Sequence, residues 1–381
     1  MNNARGIEIS FILLFLLSFY TVKAQNAAEI SSDSLFNNSN TRHISFGFES
    51  GGVMATTGKA ENLLREMKYS AIDLRLGWQG KQDNIYAYLH HYPVFGFGLT
   101  KADFNTSAVG QPLAFYGFAS LPVGGRHKRY EIDFTLALGS AVNFNPFNKD
   151  NNPSNLLIGS RITQYFGMGF NIDYLLSPKF SIGVGTNLKH FSNGSYQKPN
   201  LGINLTPISV TAKYSVNKRI LPPRMEVPVF KPVHSFDIYT SVGGKQFDIA
   251  GDRYFKGAIG LFYMYQTRYS TRWGIGTELF YSGSGPSLVS GDASRFSKST
   301  SIAIVPAFDW LLTKNLFVAL GTGIYLKRNI ENDERTFFYE SLNLRYRFLD
   351  QFTVGVGLKA HEGAADFFGY TLGYSLIKKR E

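Results

Sequence analysis

What most constrains the fold of this 381-residue chain is a period-two alternation that returns in segments of about ten residues, each bounded by turn residues. From Tyr130 to Leu138, apolar Tyr130, Ile132, Phe134, Leu136 and Leu138 alternate with Glu131, Asp133, Thr135 and Ala137. Ile72, Leu74, Leu76 and Trp78 are set against Asp73 and Arg75, and Leu342, Leu344, Tyr346 and Phe348 against Asn343, Arg345 and Arg347. Successive strand side chains point to opposite faces, so each segment reads as a β-strand with one apolar and one polar face. About eight such segments lie between His43 and Val216, and about eight more between Val233 and Ile377.

Alternation alone fits a soluble sandwich as well as a membrane barrel, so the connections and composition have to decide. Short turns (Gln79 to Asp83, Leu121 to His127, Leu176 to Lys179) alternate with longer polar loops (Ala55 to Lys68, Thr100 to Gln111, Asn145 to Ser160). Short periplasmic turns and long outer loops are the asymmetry of outer-membrane barrels. Aromatic residues make up 15% of the chain and charged residues only 18%, with 38 glycines, which suits aromatic girdles and close packing in a narrow barrel. The sequence therefore predicts an all-β, transmembrane antiparallel β-barrel.

Five segments organise the chain. Residues 1–24 read as a secretory signal, with Arg5 before an apolar run from Phe11 to Tyr20 and Val22-Lys23-Ala24 for cleavage after Ala24. Residues 25–42 form an N-terminal extension, 43–216 a first barrel half and 233–381 a second. Between the halves, residues 217–232 hold Pro222, Pro223, Pro228 and Pro232, which break a strand ladder and favour an extended linker. The halves resemble a diverged repeat: Phe180-Ser181-Ile182-Gly183-Val184-Gly185 returns as Phe352-Thr353-Val354-Gly355-Val356-Gly357, in the seventh segment of each half. Two tandem eight-stranded barrels are preferred because of the linker; one sixteen-stranded barrel is the alternative.

Cysteine is absent, which excludes disulfides and Cys-based metal sites. His90-His91 invites a metal reading, but adjacent strand residues face opposite ways, so no metal is assigned and no cofactor is called for. A formal net charge of +11 implies an anionic partner. Export makes the phosphates of lipopolysaccharide, within the outer-membrane lipid, a better candidate than nucleic acid.

In the seventh segment Phe180, Ile182, Val184 and Leu188 form the apolar, lipid-facing set, and the same parity puts His190 and Ser192 on the outer face. With the N-terminus on the periplasmic side, odd-numbered strands run outward, so this pair arrives at the outer rim. Residues i and i+2 on one strand face sit close enough for a serine hydroxyl and an imidazole to approach. A serine beside a general base is the minimal activated nucleophile for acyl transfer.

The stretch from His190 to Asn204, His-Phe-Ser-Asn-Gly-Ser-Tyr-Gln-Lys-Pro-Asn-Leu-Gly-Ile-Asn, resembles the signature of the PagL-type lipid A 3-O-deacylases, also termed acyloxyacyl hydrolases. The resemblance implies an eight-stranded outer-membrane barrel that hydrolyses an ester-linked acyl chain of lipid A. It implies a catalytic histidine at His190, a serine nucleophile at Ser192, and supporting roles for Asn193 and Asn200. The family's third triad member is a glutamate where this chain has Asn204. Parity through Ile208, Val210 and Ala212 puts Asn204 on the lipid side, unless Pro207 introduces a bulge. Backbone amides near Asn193 and Gly194 are the candidate oxyanion donors, and Lys189 and Lys198, read as loop cations, are candidate phosphate contacts.

Two classes of function follow. One is a serine acyl-ester hydrolase acting on lipid A; the other is a non-catalytic structural or lipopolysaccharide-binding barrel that has lost the acid. A small passive pore is disfavoured because eight-stranded interiors are filled by side chains. The second half has no His-x-Ser: His361 faces the lumen by parity and Glu362 stands at the equivalent of His190, so no second site is expected there.

Overall fold

Each alternating segment folds with its polar face inward, the reverse of a soluble protein. The computed structural model describes residues 41–379 except 55–59, 81–82, 125–128, 217–224 and 285–296. The expected signal segment, nearly all of the N-terminal extension and the first part of the proline-rich linker lie outside the described residues. Those residues include sixteen strands. The first eight are β1 (Arg42–Met54), β2 (Tyr69–Gln79), β3 (Val94–Asp103), β4 (Gly110–Pro122), β5 (Tyr130–Phe144), β6 (Thr163–Leu175), β7 (Phe180–Ser192) and β8 (Ile203–Ser215). Each pairs antiparallel with its sequence neighbour, and β8 returns to β1 to close the barrel.

The second eight are β9 (Val233–Gln246), β10 (Arg253–Arg268), β11 (Thr271–Ser282), β12 (Thr300–Leu311), β13 (Leu316–Lys327), β14 (Phe338–Phe348), β15 (Phe352–His361) and β16 (Ala364–Lys379). They close separately through β16 on β9. The chain is thus two eight-stranded barrels, not one of sixteen strands. Closure leaves neither sheet an open edge, which is what a lipid surrounding demands of a β-structure.

The side chains are sorted as that surrounding requires. Ile72, Leu74 and Leu76 are 48%, 47% and 43% exposed, whereas Asp73 among them is 2% exposed. Likewise Tyr130 is exposed while Glu131, Asp133 and Thr135 are buried. Apolar side chains facing outward over whole strands form a wall that lipid covers. Inside, many charges are paired: Asp73 accepts from Thr100 Oγ1 at 2.5 Å and from Arg75 Nε at 2.7 Å. In the second barrel Arg272 lies between Asp309 and Asp237, the latter at 3.0 Å. A cavity of about 40 Å³ among Tyr239, Glu278, Tyr339 and Arg345 has room for a few waters. Filled interiors of this kind favour a packed barrel over an aqueous channel.

The long connections gather at the end where β7 finishes. There a short helix, α1 (Glu61–Glu66), sets Leu63 and Leu64 into an apolar cluster with Tyr69, Phe104, Leu157, Ile158, Phe191 and Ile203. Loop and strand residues together therefore cap this end of the first barrel. At the other end, residues 80–93 depart from the expected short turn. Asn84 Oδ1 accepts from Ala87 N at 2.9 Å and starts the helix α2 (Ile85–Leu89), an arrangement favoured by an N-cap asparagine. His90 and His91 are therefore not strand residues: His90 caps α2, and His91 has φ of 57°. His90 Nε2 lies 2.8 Å from the Leu311 carbonyl, and Tyr86 meets Tyr269 edge-on, so this turn rests on the second barrel.

Candidate active site

The site is built from the inside out. Phe191, fully buried, packs against Tyr165, Phe144 and Phe104, with ring centroids 5.2, 5.5 and 6.3 Å away. Ile203, also fully buried, belongs to the same cluster. Pinning these two inward fixes their neighbours outward: His190 and Ser192 flank Phe191, and Asn204 follows Ile203. The β7–β8 register then places His190 directly opposite Asn204, and it is the same on both sides of Pro207, from Thr186 opposite Ile208 to Lys189 opposite Leu205, so no bulge intervenes.

His190 Nδ1 lies 2.6 Å from Asn204 Oδ1. A carbonyl oxygen can only accept, so the ring proton sits on Nδ1 and Nε2 keeps its lone pair. Ser192 is 8% exposed. Its hydroxyl makes no hydrogen bond to the ring among the described residues, a looseness usual in sites that tighten only around substrate. Gly202, at φ of 77°, closes over both residues. A Cβ on it would meet His190 Cε1 at 2.8 Å and Ser192 Cβ at 3.5 Å, so any side chain there would push into the pair.

The residues between the strands form a tight turn. Asn193 N–H donates to Asn200 Oδ1 at 3.0 Å, and Asn193 Nδ2 donates to the Gln197 carbonyl at 2.8 Å and Ser160 Oγ at 3.0 Å. The two asparagines thus hold the turn closed. The Asn193 amide, expected as an oxyanion donor, is already bonded, whereas the Gly194 amide has no partner among the described residues.

Lys189 requires a correction. It is not a loop cation but points into the lumen, 1% exposed, paired with Glu49, while Tyr69 Oη donates to the same carboxylate at 2.9 Å. Strand parity one residue from His190 sends it inward, out of reach of a lipid phosphate. Lys198 does lie in the loop, half-buried, and burial with Lys245 next pulls its ammonium below the usual lysine range.

Sequence reasoning missed the support from residues 145–162. Asn155, fully buried, donates to the carbonyls of Asn145 and Ala108 at 2.7 and 2.9 Å and accepts from Leu157 N and Ile158 N, both at 3.2 Å. The carbonyls of Leu156 and Leu157 in turn accept from Leu201 N and Gly202 N at 3.3 and 3.0 Å. The asparagines at 145, 148, 151, 152 and 155 were the available signal, since buried asparagine in a loop closes turns by bonding backbone. In the second barrel His361 is buried, with Nε2 3.0 Å from Tyr325 Oη.

Residues 72–213 match the family model for lipid A 3-O-deacylase (PagL), and residues 234–379 match that for the acyloxyacyl hydrolase C-terminal domain. No curated protein matches the chain. Among solved structures, the outer membrane enzyme PagL is 14% identical at a TM-score of 0.31, over 44% of this chain and 97% of that one. The NanC porin is 6% identical at 0.16, over 89% and 100%, and the CymD monoaromatic hydrocarbon channel 11% identical at 0.17, over 89% and 88%. The two family models, one on each barrel, together take in most of the described residues, and the chain belongs to the PagL-type lipid A 3-O-deacylase and acyloxyacyl hydrolase family of outer-membrane β-barrels.

Proposed function

We propose that this protein is an outer-membrane hydrolase that removes an ester-linked acyl chain from lipid A, with Ser192 as nucleophile, His190 as general base and Asn204 as the residue that orients the ring. The observation that carries this reading is the 2.6 Å contact from His190 Nδ1 to Asn204 Oδ1, which leaves Nε2 basic on the same strand face as Ser192. His190 Nε2 takes the Ser192 proton as Oγ attacks the ester carbonyl, and the Gly194 amide holds the developing oxyanion. The imidazolium returns the proton to the departing sugar oxygen. Water, deprotonated by His190, then releases the fatty acid and restores Ser192. We assign Lys198 to a headgroup phosphate on the strength of its charge and its place in the same loop.

The amide of Asn204 orients the ring but cannot neutralise the imidazolium. In a chymotrypsin-type triad, replacing the acid by its amide costs about 10⁴ in rate. That substitution favours a second reading, a lipopolysaccharide-binding barrel whose triad has decayed. Mass spectrometry of lipid A from cells producing wild type, Ser192→Ala and Asn204→Glu separates them. Loss of one acyl mass in wild type, absent in Ser192→Ala, supports the hydrolase. Loss only in Asn204→Glu supports the decayed triad, and no loss in any of them overturns the hydrolase reading.

A further inference from the structure

The turn that carries the free Gly194 amide is held in an unfavourable conformation by the other barrel. Gly194 and Ser195 are consecutive left-handed residues, at φ of 61° and 68°. For serine this region is sparsely populated, and such residues persist where their surroundings over-determine them. The hydroxyl and the carbonyl of Ser195 bond to the second barrel: Oγ donates to the Ala365 carbonyl at 2.9 Å, and the carbonyl accepts from Gln246 N at 3.0 Å. Gln246, the last residue of β9, also accepts from Lys198 N through Oε1 at 2.7 Å. Its own Nε2 is tied to the Gly251 carbonyl at 2.6 Å, which fixes the direction of Oε1. Gly194 lies against β16: a Cβ on it would come 2.5 Å from the Cβ of Phe368.

We propose that the second barrel is a working part of the site in the first: Gln246 is a positioning residue that, with the β16 backbone at Phe368, holds the Asn193–Lys198 turn so that the Gly194 amide meets the substrate oxyanion. This rests on the hydrolase reading. The second barrel needs no catalytic residues of its own for this role. It supplies a rigid rim, and a turn on a rigid rim keeps an amide aimed before substrate arrives, which is what electrostatic stabilisation of an oxyanion requires. The contact spans the two matched domains, so the role belongs to the full chain.

The test uses full-length protein in detergent micelles with lipid A as substrate, comparing wild type, Ser192→Ala, Gln246→Ala, Gln246→Glu and Phe368→Ala. Hydrogen exchange at the amides of 194–198 is followed in the same samples. Losing the Gln246 acceptor lowers kcat about tenfold with KM within about twofold, since the bond serves the transition state more than substrate binding. Exchange at 194–198 rises while β7 and β9 stay protected. Gln246→Glu, which keeps an acceptor for Lys198 N but sets a carboxylate oxygen against the Gly251 carbonyl, recovers kcat only in part, and Phe368→Ala, which keeps the Cβ and backbone that lie against Gly194, leaves kcat within about twofold of wild type. Wild-type kcat and wild-type exchange in Gln246→Ala would overturn the proposal, and so would a loss of protection spread through β7 and β9. If Ser192→Ala turns over like wild type, the hydrolase reading fails and takes the catalytic role of the rim with it. The exchange measurement still decides whether Gln246 docks the turn.

Discussion

Strands β7 and β15 start alike and end differently. Both open on an alternating Phe-x-β-branched-Gly-β-branched-Gly run, and both are the seventh strand of a closed barrel. In β7 the parity then delivers His190 and Ser192 outward, with Lys189 inward on Glu49, and a ten-residue connection, 193–202, follows. In β15 the residue matching Lys189 is His361, which faces inward and bonds Tyr325. The residue matching His190 is Glu362, half of a two-residue turn with Gly363. A common scaffold therefore sets the wall, while the proposed chemistry depends on the last outward pair and on a connection long enough to fold back over it.

That comparison can be broken most decisively at Ser192. Ser192→Ala should lower hydrolysis by a factor on the order of 10⁴ or more, read as retained lipid A mass, while heat-modifiable gel migration stays that of wild type. A variant that keeps turnover removes the chemical distinction between the two strands. Next in size is Asn204→Glu, which should raise kcat by up to about 10⁴, because a carboxylate in place of the amide stabilises the imidazolium. An unchanged or lowered kcat would mean that orientation alone limits His190.

The lumens sharpen the contrast through stability. Lys189→Ala should cost about 3–5 kcal/mol in denaturant unfolding, because it strands the buried Glu49 carboxylate. If Lys189 instead served the substrate, the variant would raise KM and leave stability alone. Smallest is His361→Phe, which should cost about 1–2 kcal/mol through the unpaired Tyr325 hydroxyl and leave hydrolysis untouched. A fall in activity there would mean that His361 also steadies the β15–β16 turn, whose Ala365 carbonyl accepts from Ser195.

Much of the wall was legible because a strand's period of two is stiff: once Ile182 and Val184 face lipid, His190 must as well. Parity also held the answer for Lys189, one residue along and hence inward, but treating it as a loop cation ignored the strand running to Ser192. The division into two barrels was less legible, since the linker only favours it and pairing of β8 with β1 is a long-range event. Helix α2 was missed because Ile85–Leu89, five apolar and aromatic residues, has no period long enough to tell helix from strand. The hold of Asn155 and Gln246 on the 193–202 turn was out of reach: each acts across 30 or more residues through a few hydrogen bonds, and hydrogen-bond partners leave no periodic trace.

The packed lumens have a consequence for kinetics. With both interiors packed with side chains, the proposed site on the outer wall would be fed sideways, by lipids diffusing within the leaflet. The concentration that governs its rate is then the mole fraction of substrate in the membrane surface, so diluting lipid A with inert amphiphile at constant bulk amount should slow the enzyme, whereas adding buffer should not.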